Sequence, residues 1–306
     1  MKQYRKILKT AILKAIQFTG PALITIFGLV FSLLPISKTY AQQAKITKFT
    51  DQPKKQIIEK DFANESAVIL DLNINIQYIE ENKEVWIYRT LHRLVKVLTD
   101  NGIESFNKIS IDADPGSSIE DISARTITND GKIYDISSDM VKISKTDGGG
   151  TEYLFAMEGV AKDAEIELQF TEKKPFALFG GEFFQFHIPL QHAAFQLSVP
   201  ARLGFETKGY LGFPKTTDTL IEGKRHYIAE KNNIAPIHDE EYASVQKMRM
   251  HLDYKLSYLP QENPGVRVYT WSDLAKYAYK RYYSFNDKGS NEKTSPKIVI
   301  KAGPVN

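Results

Sequence analysis

Six histidines, His92, His187, His192, His226, His238 and His251, are the residues of this chain best suited to hold a metal or move a proton. A zinc centre needs three or four convergent donors. No H-x-x-x-H or H-E-x-x-H pair occurs, and His187 and His192 stand five apart, so spacing predicts neither a metal centre nor a cofactor. The acidic clusters lead no further. "DADPGSSIED" (112–121) starts like a calcium loop, but positions 5, 6 and 12 fall on Gly116, Ser117 and Ser123, where an acidic residue or Asn, then Gly, then Glu are needed. In "HDEEY" (238–242) the adjacent Glu240 and Glu241 would point to opposite faces of a strand, which argues against a paired acid and base. "DGGGTEY" (147–153) lacks the strand and helix that flank a phosphate loop, and no G-x-S-x-G, Walker or Rossmann pattern is present. The chain has no cysteine, which excludes thiol nucleophiles, thiolate metal sites and disulfides.

Two aromatic groups remain. "PFALFGGEFFQF" (175–186) sets Phe176, Phe179, Phe183, Phe184 and Phe186 around a Gly-Gly pair. Such a cluster is either core or an aromatic loop that meets a ligand or partner. "YTWSDLAKYAYKRYYSF" (269–285) opens with Thr270 and Asp273 at capping-box spacing. It then places Trp271, Leu274, Ala275, Ala278 and Tyr282 on one helical face.

The elements that must position these residues are strands. "AVILDLNINIQYI" (67–79) puts Leu70, Leu72, Ile74, Ile76 and Tyr78 on one face. "VWIYRTLHRLVKVL" (85–98) alternates Val85, Ile87 and Leu91 with polar residues, then turns apolar on both sides, as a central strand does. Asp130-Gly131 predicts a hairpin with a type I′ turn, and Glu222-Gly223 a second hairpin. "AEIELQF" (164–170) and "AFQLSV" (194–199) are short strands. In "MRMHLDYKLSYL" (248–259), Met248, Met250, Leu252, Tyr254, Leu256 and Tyr258 alternate with polar residues, which specifies one buried and one wet face. The pattern predicts an all-β fold: an antiparallel β-sandwich, large or doubled, followed by one C-terminal amphipathic helix.

The N-terminus supplies an address. Lys2, Arg5, Lys6, Lys9 and Lys14 precede the apolar run "PALITIFGLVFSLL" (21–34), with Thr39 and Ala41 before Gln42. This is the pattern of a secretory signal peptide cleaved between Ala41 and Gln42. The alternative is an uncleaved membrane anchor, the only predicted route to a membrane. Without the six basic residues of 1–41, forty become 34 against 37 acidic ones. That balance excludes the concentrated positive surface nucleic acid requires. The predicted order is signal peptide (1–41), polar leader (42–62), sandwich (63–262), then linker, helix and tail (263–306).

Several stretches carry a family resemblance: "YRTLHRLVKVLTDNGIESFNKISI", "IEDISARTITNDGKIYDIS", "LFAMEGVAKDAEIELQF" and "FFQFHIPLQHAAFQLSVPARLGFETKG". They resemble exported bacterial proteins, common in Bacteroidota, in which a β-domain of unknown function precedes a transglutaminase-like core. The resemblance runs over about residues 63–285. It implies that the Trp271 helix leads into such a core, whose Cys, His and Asp have no matching positions here. On that ground the chain is expected not to be an enzyme but an exported module, periplasmic or at the cell surface, that binds or scaffolds a protein partner. The partner would be a transglutaminase-like core or another envelope protein. Trp271, Leu274, Tyr277, Ala278 and Tyr282 are the candidate contacts. The alternatives are the front half of a transglutaminase-like or peptidase-like enzyme, and a surface glycan- or peptide-binding module using Phe176, Phe179, Phe183 and Phe184.

Overall fold

The period-2 stretches become fourteen strands in the computed structural model, which describes residues 45–52, 56–238, 248–262, 265–270, 272–273, 275–276 and 279–280. In chain order they are β1 (Ala67–Glu81), β2 (Glu84–Val97), β3 (Lys108–Ala113), β4 (Ser118–Ile127) and β5 (Ile133–Asp135). Then come β6 (Lys142–Lys145), β7 (Thr151–Ala156), β8 (Glu165–Pro175), β9 (Phe179–Phe183) and β10 (Leu190–Pro200). β11 (Gly204–Tyr210), β12 (Thr217–Ile221), β13 (Lys224–Ile234) and β14 (His251–Tyr258) complete the set. One helix, α1 (Asp100–Phe106), joins β2 to β3.

Eight strands form one sheet in the order β12-β13-β10-β1-β2-β8-β4-β5. Two three-stranded sheets, β11-β14-β9 and β3-β7-β6, lie against it. Register shows that both cover the same face. Leu91 of β2 pairs with Ile74 on one side and Phe170 on the other, and it packs into the hydrophobic clusters beneath both small sheets. The first cluster joins Ile74, Ile76, Phe195 and Leu197 to Phe205, Leu252 and Leu256; the second joins Ile122, Ile166 and Leu168 to Ile111, Tyr153 and Phe155. Each fully buried Leu or Ile contributes about 2 kcal/mol. The all-β sandwich of the sequence reading is what forms.

Three details depart from that reading. β1 and β10 pair in parallel, Ile74 beside Phe195 and Ile76 beside Leu197, within an otherwise antiparallel fold. Leu70 does not share a face with Leu72. A bulge between Ile69 and Asp71 adds a residue and turns Leu70 and Asp71 to the open face of the large sheet. There Leu70 joins Val68, Leu94, Leu98 and Phe62 in a third cluster. In β2, Arg89 and Arg93 occupy the covered face beside Ile87 and Leu91 (Arg89 pairs with Ile76, Arg93 with Leu72), so the predicted alternation is broken by two inward arginines.

The hairpins form with different turns. Glu222 and Gly223 both have positive φ, 49° and 73°, as type I′ requires. At 128–131 the Gly131 N–H donates to the Thr128 carbonyl, and Gly131 has φ 86° while Asp130 is not left-handed. That is a type I turn closed by glycine, not type I′. Helix α1 was not predicted. Thr99 caps it by accepting from the Gly102 N–H. A Cβ on Gly102 would stand 2.2 Å from the Ser66 carbonyl oxygen, so glycine sits in a helix interior because the chain behind it leaves no room.

Candidate functional site

The bulge in β1 creates a polar site on the open face of the large sheet. It delivers Asp71 to the open face of the large sheet, beside His92 of β2, Glu167 of β8, Arg125 of β4 and His192 of β10. Five adjacent strands contribute side chains to a cleft of about 600 Å³. His192 Nδ1 lies 2.6 Å from Asp71 Oδ1, and His92 Nε2 lies 2.8 Å from Glu167 Oε1. Arg125 donates from Nε to Glu167 Oε2 at 2.7 Å and places Nη2 at 2.6 Å from the same oxygen. Asn73 donates to Asp71, and Lys96 donates to Glu165 at 3.1 Å at the cleft's end.

The leader roofs this cleft. Ile46 bridges to Ile122 of β4, with Thr47 N–H donating to the Ile122 carbonyl at 2.9 Å. Phe49 then lies under the Arg125 guanidinium at 4.5 Å and 6.1 Å from the His92 ring. Arg125 Nη1 donates to the Asp51 carbonyl at 3.2 Å. Beyond, Gln191 of β10 donates to the Ile57 carbonyl at 2.9 Å and accepts from the Glu59 N–H at 3.1 Å. The polar leader thus forms one wall of the cleft.

Its protonation states limit its chemistry. Hydrogen bonds to Asp71 first and Glu167 second outweigh burial and push the His92 pKa up to about 9. Burial raises the Asp71 carboxyl, but hydrogen bonds and charge from His92 and His192 hold it below the ordinary carboxylate value. At neutral pH His92 is therefore an imidazolium between two carboxylates, unable to accept a proton, and Asp71 has none to give. Among the described residues no group of three or more His, Asp or Glu side chains could hold a metal ion. What the arrangement does is bind. It is a charge-compensated cradle that grips the leader.

The aromatic group of residues 175–186 is split by the fold. Phe184 is fully buried, stacked on Phe213 at 4.2 Å, and Phe176 packs edge-on against Tyr78 at 5.9 Å. Phe184 is sealed from the surface and Phe176 is half-buried against the core, so the four rings do not form one exposed loop. Phe179 and Phe183 stay exposed at 73% and 39%. Phe183 carries the Arg249 guanidinium at 4.4 Å and neighbours the His251 ring at 5.6 Å. The predicted cap at Thr270 forms: Asp273 N–H donates to Thr270 Oγ1 at 3.2 Å, and Thr270 Oγ1 donates to Asp273 Oδ2 at 2.7 Å. Trp271, Leu274, Tyr277, Ala278 and Tyr282, with Ala41 and Gln42, lie outside the described residues. Every described residue of Tyr269–Lys280 is exposed.

Sequence reasoning missed Asp71, Glu167 and Arg125 and took His92 singly. Up to 96 residues separate these side chains, so no local spacing joins them. The only signal was the alternation that puts each on the open face of its strand.

Residues 87–238 match the model of a domain of unknown function with a solved structure, DUF3857. The resemblance to such a domain is borne out, over a narrower span than 63–285. No curated protein matches the chain. Among solved structures, a Parabacteroides distasonis protein provisionally described as a protease is similar with a TM-score of 0.56 at 15% identity, over 62% of this chain and 40% of that one. An M1 zinc metallopeptidase from Deinococcus radiodurans matches at 9% identity and a TM-score of 0.34, over 62% of this chain and 42% of its own. The chain thus spans about two-fifths of the length of either structure, 40% and 42%. The first match corrects one expectation. A fold shared with a protein described as a protease does not set the chain outside the enzymes, and missing cysteine removes thiol chemistry alone.

Proposed function

We propose that this chain, a DUF3857 domain across residues 87–238, is the β-module of an exported peptidase-type or transglutaminase-like enzyme. In this reading it docks the catalytic core through the helix that opens at Thr270. The observation that carries the reading is the capped helix start itself. Thr270 and Asp273 cap each other, while Ser272, Ala275, Lys276, Tyr279 and Lys280 are all exposed. A segment with large apolar residues at helical spacing gains stability by burying them against a partner surface. Its approach is anchored, since Arg267 donates to Glu206 Oε2 at 2.9 Å and holds that carboxyl down at about 2. The basic, apolar N-terminus supports export, and the shared fold of the Parabacteroides distasonis protein supports the enzyme class.

The test is the intact mass of the native polypeptide from envelope and secreted fractions, with whatever co-purifies. A polypeptide carrying a catalytic core beyond this module, or a separate core bound to it and released when 270–285 is deleted, is the expected result. A species spanning 42–306 with no core attached overturns the reading.

A further inference from the structure

A second cleft, of about 340 Å³, opens on the covered face of the large sheet. Ile87 and Arg89 of β2 line it together with Asp114, Pro115 and Ser117 of the β3–β4 turn, and β9 forms the opposite wall. β9 ends its sheet, so one side of it has no strand neighbour among the described residues. The Phe184 N–H donates to the Met250 carbonyl, and the Leu178 carbonyl accepts from the Leu256 N–H. By antiparallel alternation, the N–H and C=O of Phe179, Gly181 and Phe183 therefore point to the free side. Natural edge strands are protected by lysine, proline or a bulge. β6 carries Lys142 and Lys145 and β11 carries Lys208, but β9 reads Phe-Gly-Gly-Glu-Phe. Its one charge, Glu182, is turned inward and consumed by Arg89, whose Nε and Nη2 donate at 2.7 and 2.8 Å.

A second feature points to a ligand. Tyr254 of β14 is 7% exposed and lines the cleft, yet its hydroxyl has no hydrogen-bond partner among the described residues. It reaches the cleft because β9 has no side chain in the way: a Cβ on Gly180 would stand 2.3 Å from the Tyr254 hydroxyl oxygen. Gly180 keeps open a passage through which a buried phenol offers an unused donor.

The geometry points to β9 as the receiving strand for an extended, uncharged segment of a client polypeptide, which adds to the sheet edge and accepts a hydrogen bond from Tyr254. Main-chain pairing supplies affinity without demanding a sequence. Arg89 is paired with Glu182 and Lys174 with Glu172 at 3.0 Å, so neither lining cation is free to recognise an acidic side chain, and the one further lining charge, Asp114, lies exposed at the β3–β4 turn. The inference rests on the module reading only for what the captured strand is delivered to.

Fluorescein-labelled casein, an unstructured polypeptide, is the probe. Titrating the full chain should raise its anisotropy saturably and slow amide exchange at Phe179, Gly181 and Phe183. Phe179→Pro removes a free-side donor where edge strands tolerate proline and should weaken binding about tenfold. Tyr254→Phe keeps the ring and should weaken it about threefold, again for one lost hydrogen bond. Both variants should melt like the parent chain. The inference fails if casein does not bind, or if both well-folded variants bind it equally well. It also fails if those amides are already protected in the free chain, or if sedimentation shows that the edge pairs with a second copy instead. A core-bearing native polypeptide without casein binding removes the groove and leaves the module. Casein binding by a chain that has no core does the reverse.

Discussion

The two clefts lie on opposite faces of one sheet and are built from similar parts. Each places an arginine from a sheet strand against a glutamate, Arg125 with Glu167 on the open face and Arg89 with Glu182 on the covered one. They differ in what is left over. On the open face the leader supplies the Asp51 and Ile57 carbonyls and the Phe49 ring, so the protein walls its own site and pairs the Arg125 and Gln191 donors itself. Under β9 an edge and a phenol stay unpaired among the described residues. Polar density alone does not mark a binding site; a donor left unpaired where the chain could have satisfied it marks one better.

The comparison can be broken by mutation. Glu182→Gln leaves Arg89 buried without its counter-charge and should cost about 3 kcal/mol, the largest effect, read as a drop in urea midpoint. Asp71→Asn in the half-open cleft should cost about 1 kcal/mol. It should also bring the His92 titration, followed by NMR, down from about 9 towards its ordinary range. A pH series sharpens the same point. The His92 pKa is raised on folding, so its stabilisation is complete below its unfolded value, about 6.5, and is lost as pH climbs through about 9. The melting temperature should fall across that interval by roughly 5 °C, and in Asp71→Asn, where the Glu167 hydrogen bond to His92 remains, the fall should shrink. Phe49→Ala should leave the melt within about 1 kcal/mol but speed amide exchange in 45–52. Tyr254→Phe should change stability least of all, and an appreciable loss would mean that the phenol is spent inside the fold.

Legibility in the sequence followed the range of the interactions. β14 was plain because Met250, Leu252, Tyr254 and Leu256 alternate without interruption and all four are buried. The two hairpins were plain because glycine marks a turn within a few residues. The bulge at Ile69–Asp71 was not, because an inserted residue leaves the apolar letters in place and changes only which face they meet. The parallel pairing of β1 with β10 was hidden for the same reason that the cleft was. Both depend on strands brought together across more than 100 residues, and no spacing rule reaches that far. Helix α1 was missed because its seven residues include a glycine, and tertiary fit at Ser66 outweighs propensity.

That parallel pairing also dictates a schedule. β1 finds one neighbour, β2, almost as soon as both have been synthesised. Its other neighbour begins at Leu190, so Ile74 and Ile76 cannot be fully covered until synthesis has passed their partners Phe195 and Leu197. Contacts so distant along the chain make folding slow. A chain that is slow to close is one that chaperones can hold open.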